Sequence, residues 1–198
     1  MRQMIMVLLL LQIALAGTAV AGPFEDAMAA HARGDYSTAM RGFRVLAEQG
    51  APEAQFNLGA MYASGQGMPQ DYRVLELARV EAVVWYRKAA EQGLAGAQYS
   101  LGLVYDNGQG VTQDYVEAAK WYRMASEQGH AGGQTNLGVM YSRGNGLPQD
   151  YVQAHMWFSL AAKQGETHAA ANRDFISRRM TPDQISEAQK LAGEWMPR

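Results

Sequence analysis

The chain of 198 residues carries 17 basic and 19 acidic side chains, 48% hydrophobic residues and no cysteine. That length suits one domain with a real core, and the apolar content excludes a disordered chain. Lack of cysteine excludes disulfides, thiolate metal sites, cysteine nucleophiles and a lipoprotein anchor, and the mixed charges leave no basic face for nucleic acid.

Taken in chain order, the first element is not part of the fold. Arg2 precedes an apolar stretch from Met4 to Ala16, broken by Gln12, and Ala19-Val20-Ala21 follows. This pattern predicts a secretory signal peptide over residues 1–21, cleaved after Ala21. The stretch is shorter than the roughly 20 residues of a spanning helix, with a retained anchor as the alternative. The mature chain is expected to be exported, to the periplasm or outside the cell, with no stable membrane insertion.

Residues 22–50 predict a capping pair of helices, Phe24 to Arg33 and Asp35 to Gln49. A repeat follows. Gly93, Gly129 and Gly165 each end a Gln-Gly pair and lie 36 residues apart, and Trp85, Trp121 and Trp157 keep the same step. Tyr105 and Tyr141 repeat it again, as do Asp114-Tyr115 and Asp150-Tyr151. A fixed period of this size means a solenoid, with units at 51–93, 94–129 and 130–165. The first unit has seven more residues, between Asp71-Tyr72 and Val80. Seven residues are about two helical turns, and Leu, Glu, Ala and Arg favour helix. A helix lengthened there should protrude from the stack.

Each unit predicts two helices. The first, helix A, covers Ala54 to Tyr62, Ala97 to Tyr105 and Gly133 to Tyr141, with Ala54, Leu58 and Tyr62 on one face. Gly59, Gly102 and Gly138 sit mid-helix at a cost of about 1 kcal/mol each against alanine, which predicts close backbone packing on the partner helix. Gly65 and Gly67, with their counterparts 108/110 and 144/146, suit left-handed turns. Helix B starts at Asp114 or Asp150, which with Glu117 and Gln153 resemble capping boxes. It buries its tryptophan with Ala118 and Ala125, and ends at Gln-Gly. After Gly165 the period stops, and residues 166–198 predict capping helices. The last opens at Thr181-Pro182-Asp183-Gln184, so that Ile185, Ala188, Leu191, Ala192 and Trp195 close the stack. No stretch alternates like a strand; the fold class is all-α.

The markers A-x-x-x-L-G-x-x-Y-x-x-G-x-G and D-Y-x-x-A-x-x-W-[YF]-x-x-A-A-x-Q-G resemble the Sel1-like repeat, a relative of the tetratricopeptide repeat. The likeness covers roughly residues 51–165, with a looser tetratricopeptide-like unit at 24–50. It departs at the seven-residue insertion and at Gly133, where the other units have Ala54 and Ala97. The resemblance implies a right-handed α-solenoid whose A helices line a concave groove. It also implies a non-catalytic adaptor that gathers other proteins, often at the bacterial envelope.

Chemistry-bearing patterns are sparse. His31, His130, His155 and His168 are scattered without metal-ligand spacing and read as structural or surface residues. Asp106 to Gly110 lacks the third-position ligand and distal glutamate of a calcium loop. The G-x-G pairs follow no strand, and neither a G-x-S-x-G elbow nor a serine followed three residues on by lysine occurs. No catalytic residue, metal or cofactor is predicted.

Binding is expected where units differ. By analogy with tetratricopeptide grooves, helix A offers Phe56, Asn57 and Ala60, then Tyr99, Ser100, Leu103 and Asp106, then Thr135, Asn136, Val139 and Arg143. Phe56 and Tyr99 share a phase and suit an aromatic anchor; packing against the next unit is the alternative. The expected function is a monomeric scaffold holding a protein or peptide partner in the groove. The alternatives are a cell-wall-related enzyme or binder, of β-lactam or peptidoglycan fragments, and a self-associating structural protein that pairs through the long helix.

Overall fold

The computed structural model describes residues 22–197; the predicted signal peptide, residues 1–21, lies outside the described residues. The chain forms α1 Pro23–Ala32, α2 Tyr36–Glu48, α3 Pro52–Ser64, α4 Tyr72–Glu91 and α5 Ala95–Asn107. There follow α6 Tyr115–Glu127, α7 Ala131–Arg143, α8 Tyr151–Lys163, α9 Thr167–Ser177 and α10 Pro182–Glu194. Each of α1 to α9 packs on its neighbour in sequence, in the pairs α1/α2, α3/α4, α5/α6 and α7/α8, while α10 folds back onto α8. The A-type helices α5, α7 and α9 also touch in succession. None among the described residues is long and apolar enough to cross a membrane.

Local signals set these boundaries. The carboxylates of Asp71, Asp114 and Asp150 accept backbone N–H groups in the first turns of α4, α6 and α8. Only half of the expected capping box forms at α6 and α8. The N–H groups of Asp114 and Asp150 are already donated to the carbonyls of Tyr105 and Tyr141, at 3.0 and 2.9 Å. Glu117 turns instead to Lys120. The complete reciprocal box is at α10, between Thr181 and Gln184. Gly93, Gly129 and Gly165, at φ of 87 to 91°, take the left-handed turn that ends each B helix.

The mid-helix glycines make room for rings rather than for backbone. A Cβ on Gly59, Gly102 or Gly138 would lie 2.8, 2.5 or 2.7 Å from a ring carbon of Tyr86, Tyr122 or Phe158. Those rings are the residues after each tryptophan, on the paired B helix, and are buried. The expected close approach is real, but its cause is an aromatic side chain.

Two polar ladders link the units. Gln55, Gln98 and Gln134 are buried and donate to the carbonyls of Ala47, Ala90 and Ser126 near the end of the preceding B helix, at 3.1 to 3.3 Å. Their own carbonyl oxygens accept from Gln92, Gln128 and Gln164, the glutamines of the Gln-Gly pairs, at 2.7 to 2.9 Å. On the surface, Arg44, Arg87 and Arg123 each donate to the phenol of Tyr62, Tyr105 or Tyr141 in the next A helix and lie 6.0 Å from its ring.

The insertion is helical: α4 has 20 residues against 13 in α6 and α8. It does not simply protrude. Ala78 is buried and Leu75 half-buried, extending the buried row of Ala82 by one and two turns, with Leu75 against Gly65. Tyr72 and Leu77 stay exposed.

Glycine spacing gives a direct stability test. Gly102→Ala is expected to destabilise by about 1–3 kcal/mol through overpacking on Tyr122, despite the helix-propensity gain of about 1 kcal/mol. Gly193→Ala, in α10 with nothing within 4 Å of its Cβ, is expected to keep that gain. Urea unfolding of the two variants checks the opposite signs.

Candidate partner-binding face

The expected binding residues lie along one side of the A helices: Phe56, Asn57 and Ala60 on α3, Tyr99 to Asp106 on α5, and Thr135 to Arg143 on α7. All the named positions are half-buried except Arg143, which is exposed. Among the A helices, α5 touches α7 and α7 touches α9.

Phe56 and Tyr99 have different neighbours. The Phe56 ring lies 5.8 Å from that of Tyr86, tilted by 41°, and against Gly96 at the start of α5. Tyr99 lies 6.0 Å from Tyr122 and 4.6 Å from His130, against Gly132. Both rings therefore bridge adjacent units and are half-buried.

The polar groups beside them are partly engaged. Burial pushes the Tyr86 phenol up to about 12, with Ser100 working the other way. The Tyr122 phenol is raised further, by burial first and the Asp106 carboxylate next, and it donates to Asp106 at 3.1 Å. Asn136, beside this phenol, works the other way. Both phenols stay protonated as donors at neutral pH. Asn57 donates to the Glu53 carbonyl at 2.7 Å and Thr135 to that of Ala131 at 3.0 Å. Asn57 and Thr135 each keep acceptor capacity for a ligand.

The histidines have local partners. His31 hydrogen-bonds Gln66 at 2.9 Å, and His168 is exposed. His130 caps α7 by accepting the Gly133 N–H on Nδ1 at 3.1 Å, and burial lowers its pKa. His155, only 3% exposed, lies 3.3 Å from the Ser159 hydroxyl; burial and Arg173 lower its pKa, while Asp174 works the other way. His155 and Ser159 line an open cavity of about 550 Å³ between α8, α9 and α10.

That cavity marks an interruption of the arginine–tyrosine ladder. The next pair in the series, 36 residues on from Arg123 and Tyr141, is Ser159 and Ser177. Two small side chains stand where a guanidinium and a phenol fill the earlier junctions. Asp174 binds Arg173 at 2.8 Å rather than the imidazole, so serine, histidine and aspartate do not form a relay. Among the described residues no three histidine or carboxylate side chains converge as a metal site. The arginines at 44, 87 and 123, each 18 residues before a tyrosine, were a sequence signal for the inter-unit contact that the repeat motif alone does not reveal.

Period, glycines and helix order together define a tetratricopeptide-related solenoid, and the comparisons specify it. The Sel1 repeat family matches residues 52–94, 95–130 and 131–166. The chain belongs to the Sel1 repeat family. It is similar to the crystal structure of a Sel1 repeat protein from Oxalobacter formigenes, at 31% identity and a TM-score of 0.71 over 88% of this chain and 68% of that one. It is also similar to c5321, a protective antigen of uropathogenic Escherichia coli strains with the same repeat fold, at 30% identity and a TM-score of 0.57 over 80% of this chain. The chain spans 40% of the length of that antigen. No curated protein matches.

Neutral histidines make stability depend on pH. A folded-state pKa below the usual imidazole value of about 6.5 means that the unfolded chain binds more protons as pH falls through that value. Stability is therefore full above it and is lost on acidification toward the folded pKa. The midpoint of thermal unfolding should fall between pH 7.5 and 5.5. The change should be smaller in His130→Asn, whose side chain can cap α7 without titrating.

Proposed function

We propose that this Sel1 repeat protein is an exported, non-catalytic scaffold of the bacterial cell envelope that holds a protein or peptide partner along its A-helix face. The supporting observation is the division of labour along each A helix. Alanine, glutamine, leucine and glycine recur at the buried phases, as in Ala54, Gln55, Leu58 and Gly59 and again in Ala97, Gln98, Leu101 and Gly102. The groove phases vary instead: Phe56, Tyr99 and Thr135, then Ala60, Leu103 and Val139. A surface free to vary on a fixed frame is how solenoids acquire ligands. The predicted signal segment supports a periplasmic or secreted location, and likeness to an antigen of E. coli fits such a placement.

Self-association is the second reading, and one patch favours it. Leu77, Val80 and Val84 are exposed at three- and four-residue spacing along α4.

Site-specific photocrosslinking in cells separates the two. A photoreactive residue at Asn57 or Thr135 is expected to give adducts with another protein, and one at Val45 or Val116 on B helices to give none. Adducts only from B-helix positions contradict the groove reading. Chain-to-chain adducts from Leu77 with none from the groove establish self-association instead.

A further inference from the structure

At the C-terminal end of the groove, the repeat loses an acid and gains two cations. In the second unit the Tyr122 ring packs on Gly102 and its hydroxyl donates to Asp106, with Asn136 beside it. Thirty-six residues later the ring is Phe158, packed on Gly138, with Ser142 in the place of Asp106 and Asn172 in that of Asn136. The polar groups that hold a phenol in one unit face a bare ring in the next. One position further along, the series Asn107, Arg143, Arg179 turns basic.

These substitutions meet at a cavity of about 240 Å³ between α7, α8 and α9, lined by Ser142, Arg143, Phe158, Asn172, Phe175 and Arg179 among others. No Asp or Glu lines it. Both arginines are exposed, and among the described residues neither is in an ion pair. The Arg179 guanidinium lies 4.4 Å from the centre of the Phe175 ring, which is 54% exposed.

We propose that this pocket binds the C-terminal carboxylate of a peptide whose last side chain is apolar. The carboxylate sits between Arg143 and Arg179, and the side chain lies over Phe158 and Phe175. Guanidinium groups present paired N–H donors that match a carboxylate, and Asn172 offers an amide donor beside them. A terminal residue carries its carboxylate and its side chain on the same Cα. A pocket of this size can seat both, whereas an internal Asp or Glu needs the chain to continue past it. The proposal rests on the A-face reading and names the group that face recognises at one end.

Fluorescence anisotropy on the protein tests it with three labelled peptides: Ala-Ala-Phe as the free acid, the same peptide as its amide, and Ala-Asp-Phe as its amide. The free acid is expected to bind at least tenfold more tightly than either amide. Binding should weaken with added salt, as an exposed ionic contact requires. Arg143→Gln and Arg179→Gln should each weaken it about tenfold and remove the acid–amide difference, leaving the melting temperature unchanged. Phe158→Tyr supplies the missing hydroxyl to Ser142 and Asn172, as Tyr122 does one unit earlier, and should also weaken binding. Equal affinity for the acid and its amide overturns the carboxylate pocket while leaving a peptide groove standing. Equal binding by the aspartyl amide, or displacement by inorganic phosphate at the same concentration as by acetate, shows a general anion site and overturns terminal recognition. No binding of the free acid at millimolar concentration overturns it too, and groove photocrosslinking then decides the wider reading separately.

Discussion

Everything in this stack depends on how one helix end is closed inside the protein. A B helix leaves carbonyls near its C-terminus without helical partners, and burying them against the next unit costs about 1–3 kcal/mol for each that stays unpaired. Ala47, Ala90 and Ser126 each accept the N–H of the glycine that ends the helix, Gly50, Gly93 or Gly129, at 2.9 to 3.0 Å, and Gln55, Gln98 and Gln134 donate a second hydrogen bond to the same carbonyls. Their carbonyls are then occupied by Gln92, Gln128 and Gln164 from the B helices of their own units. One buried amide therefore fixes three helices at once: the preceding B, its own A and its own B. The glutamine of the Gln-Gly pair is a structural partner as well as the residue before a turn.

With the helix ends fixed, side-chain volume sets the spacing. Tyr86, Tyr122 and Phe158 fit against A helices only because Gly59, Gly102 and Gly138 lack a Cβ. Arginine–tyrosine contacts hold the outer edge, from Arg44–Tyr62 to Arg123–Tyr141. At Ser159 and Ser177 that edge contact ends, and at Phe158 the phenol that closed the groove side also ends. Both changes fall at one junction, and both open a cavity, one on each side of α8 and α9. The frame is regular where it must pack and irregular where a ligand has room.

Most of the frame was legible because periodic residues report periodic structure. The 36-residue step placed the pairs α5/α6 and α7/α8, and the glycines of Gln-Gly marked the ends of the B helices. The insertion was legible as helix from its length and composition, but its seating was not, because that needs the buried row of Leu75, Ala78 and Ala82 in three dimensions. The capping boxes were half legible: sequence shows the donors and acceptors near Asp114, and only the fold shows that Tyr105 has already taken the N–H. The candidate site was legible as a face, from the phase of Phe56 and Tyr99, and less so as chemistry. Whether an exposed Arg143 matters depends on Arg179 lying across the same cavity, and the period that relates them had stopped producing recognisable repeats by then.

The measurement that tests this account most directly is the unfolding free energy of Gln98→Met, which keeps the side-chain volume and deletes both amide contacts. It leaves the Ala90 carbonyl with the Gly93 N–H alone and removes the acceptor of the Gln128 amide. The predicted loss is about 1–2 kcal/mol, the net worth of two hydrogen bonds at about 0.5–1.5 kcal/mol each. Gln189→Met on the exposed side of α10 should change stability by less than about 0.5 kcal/mol. A Gln98→Met protein as stable as the parent would contradict the view that buried amides hold the units in register.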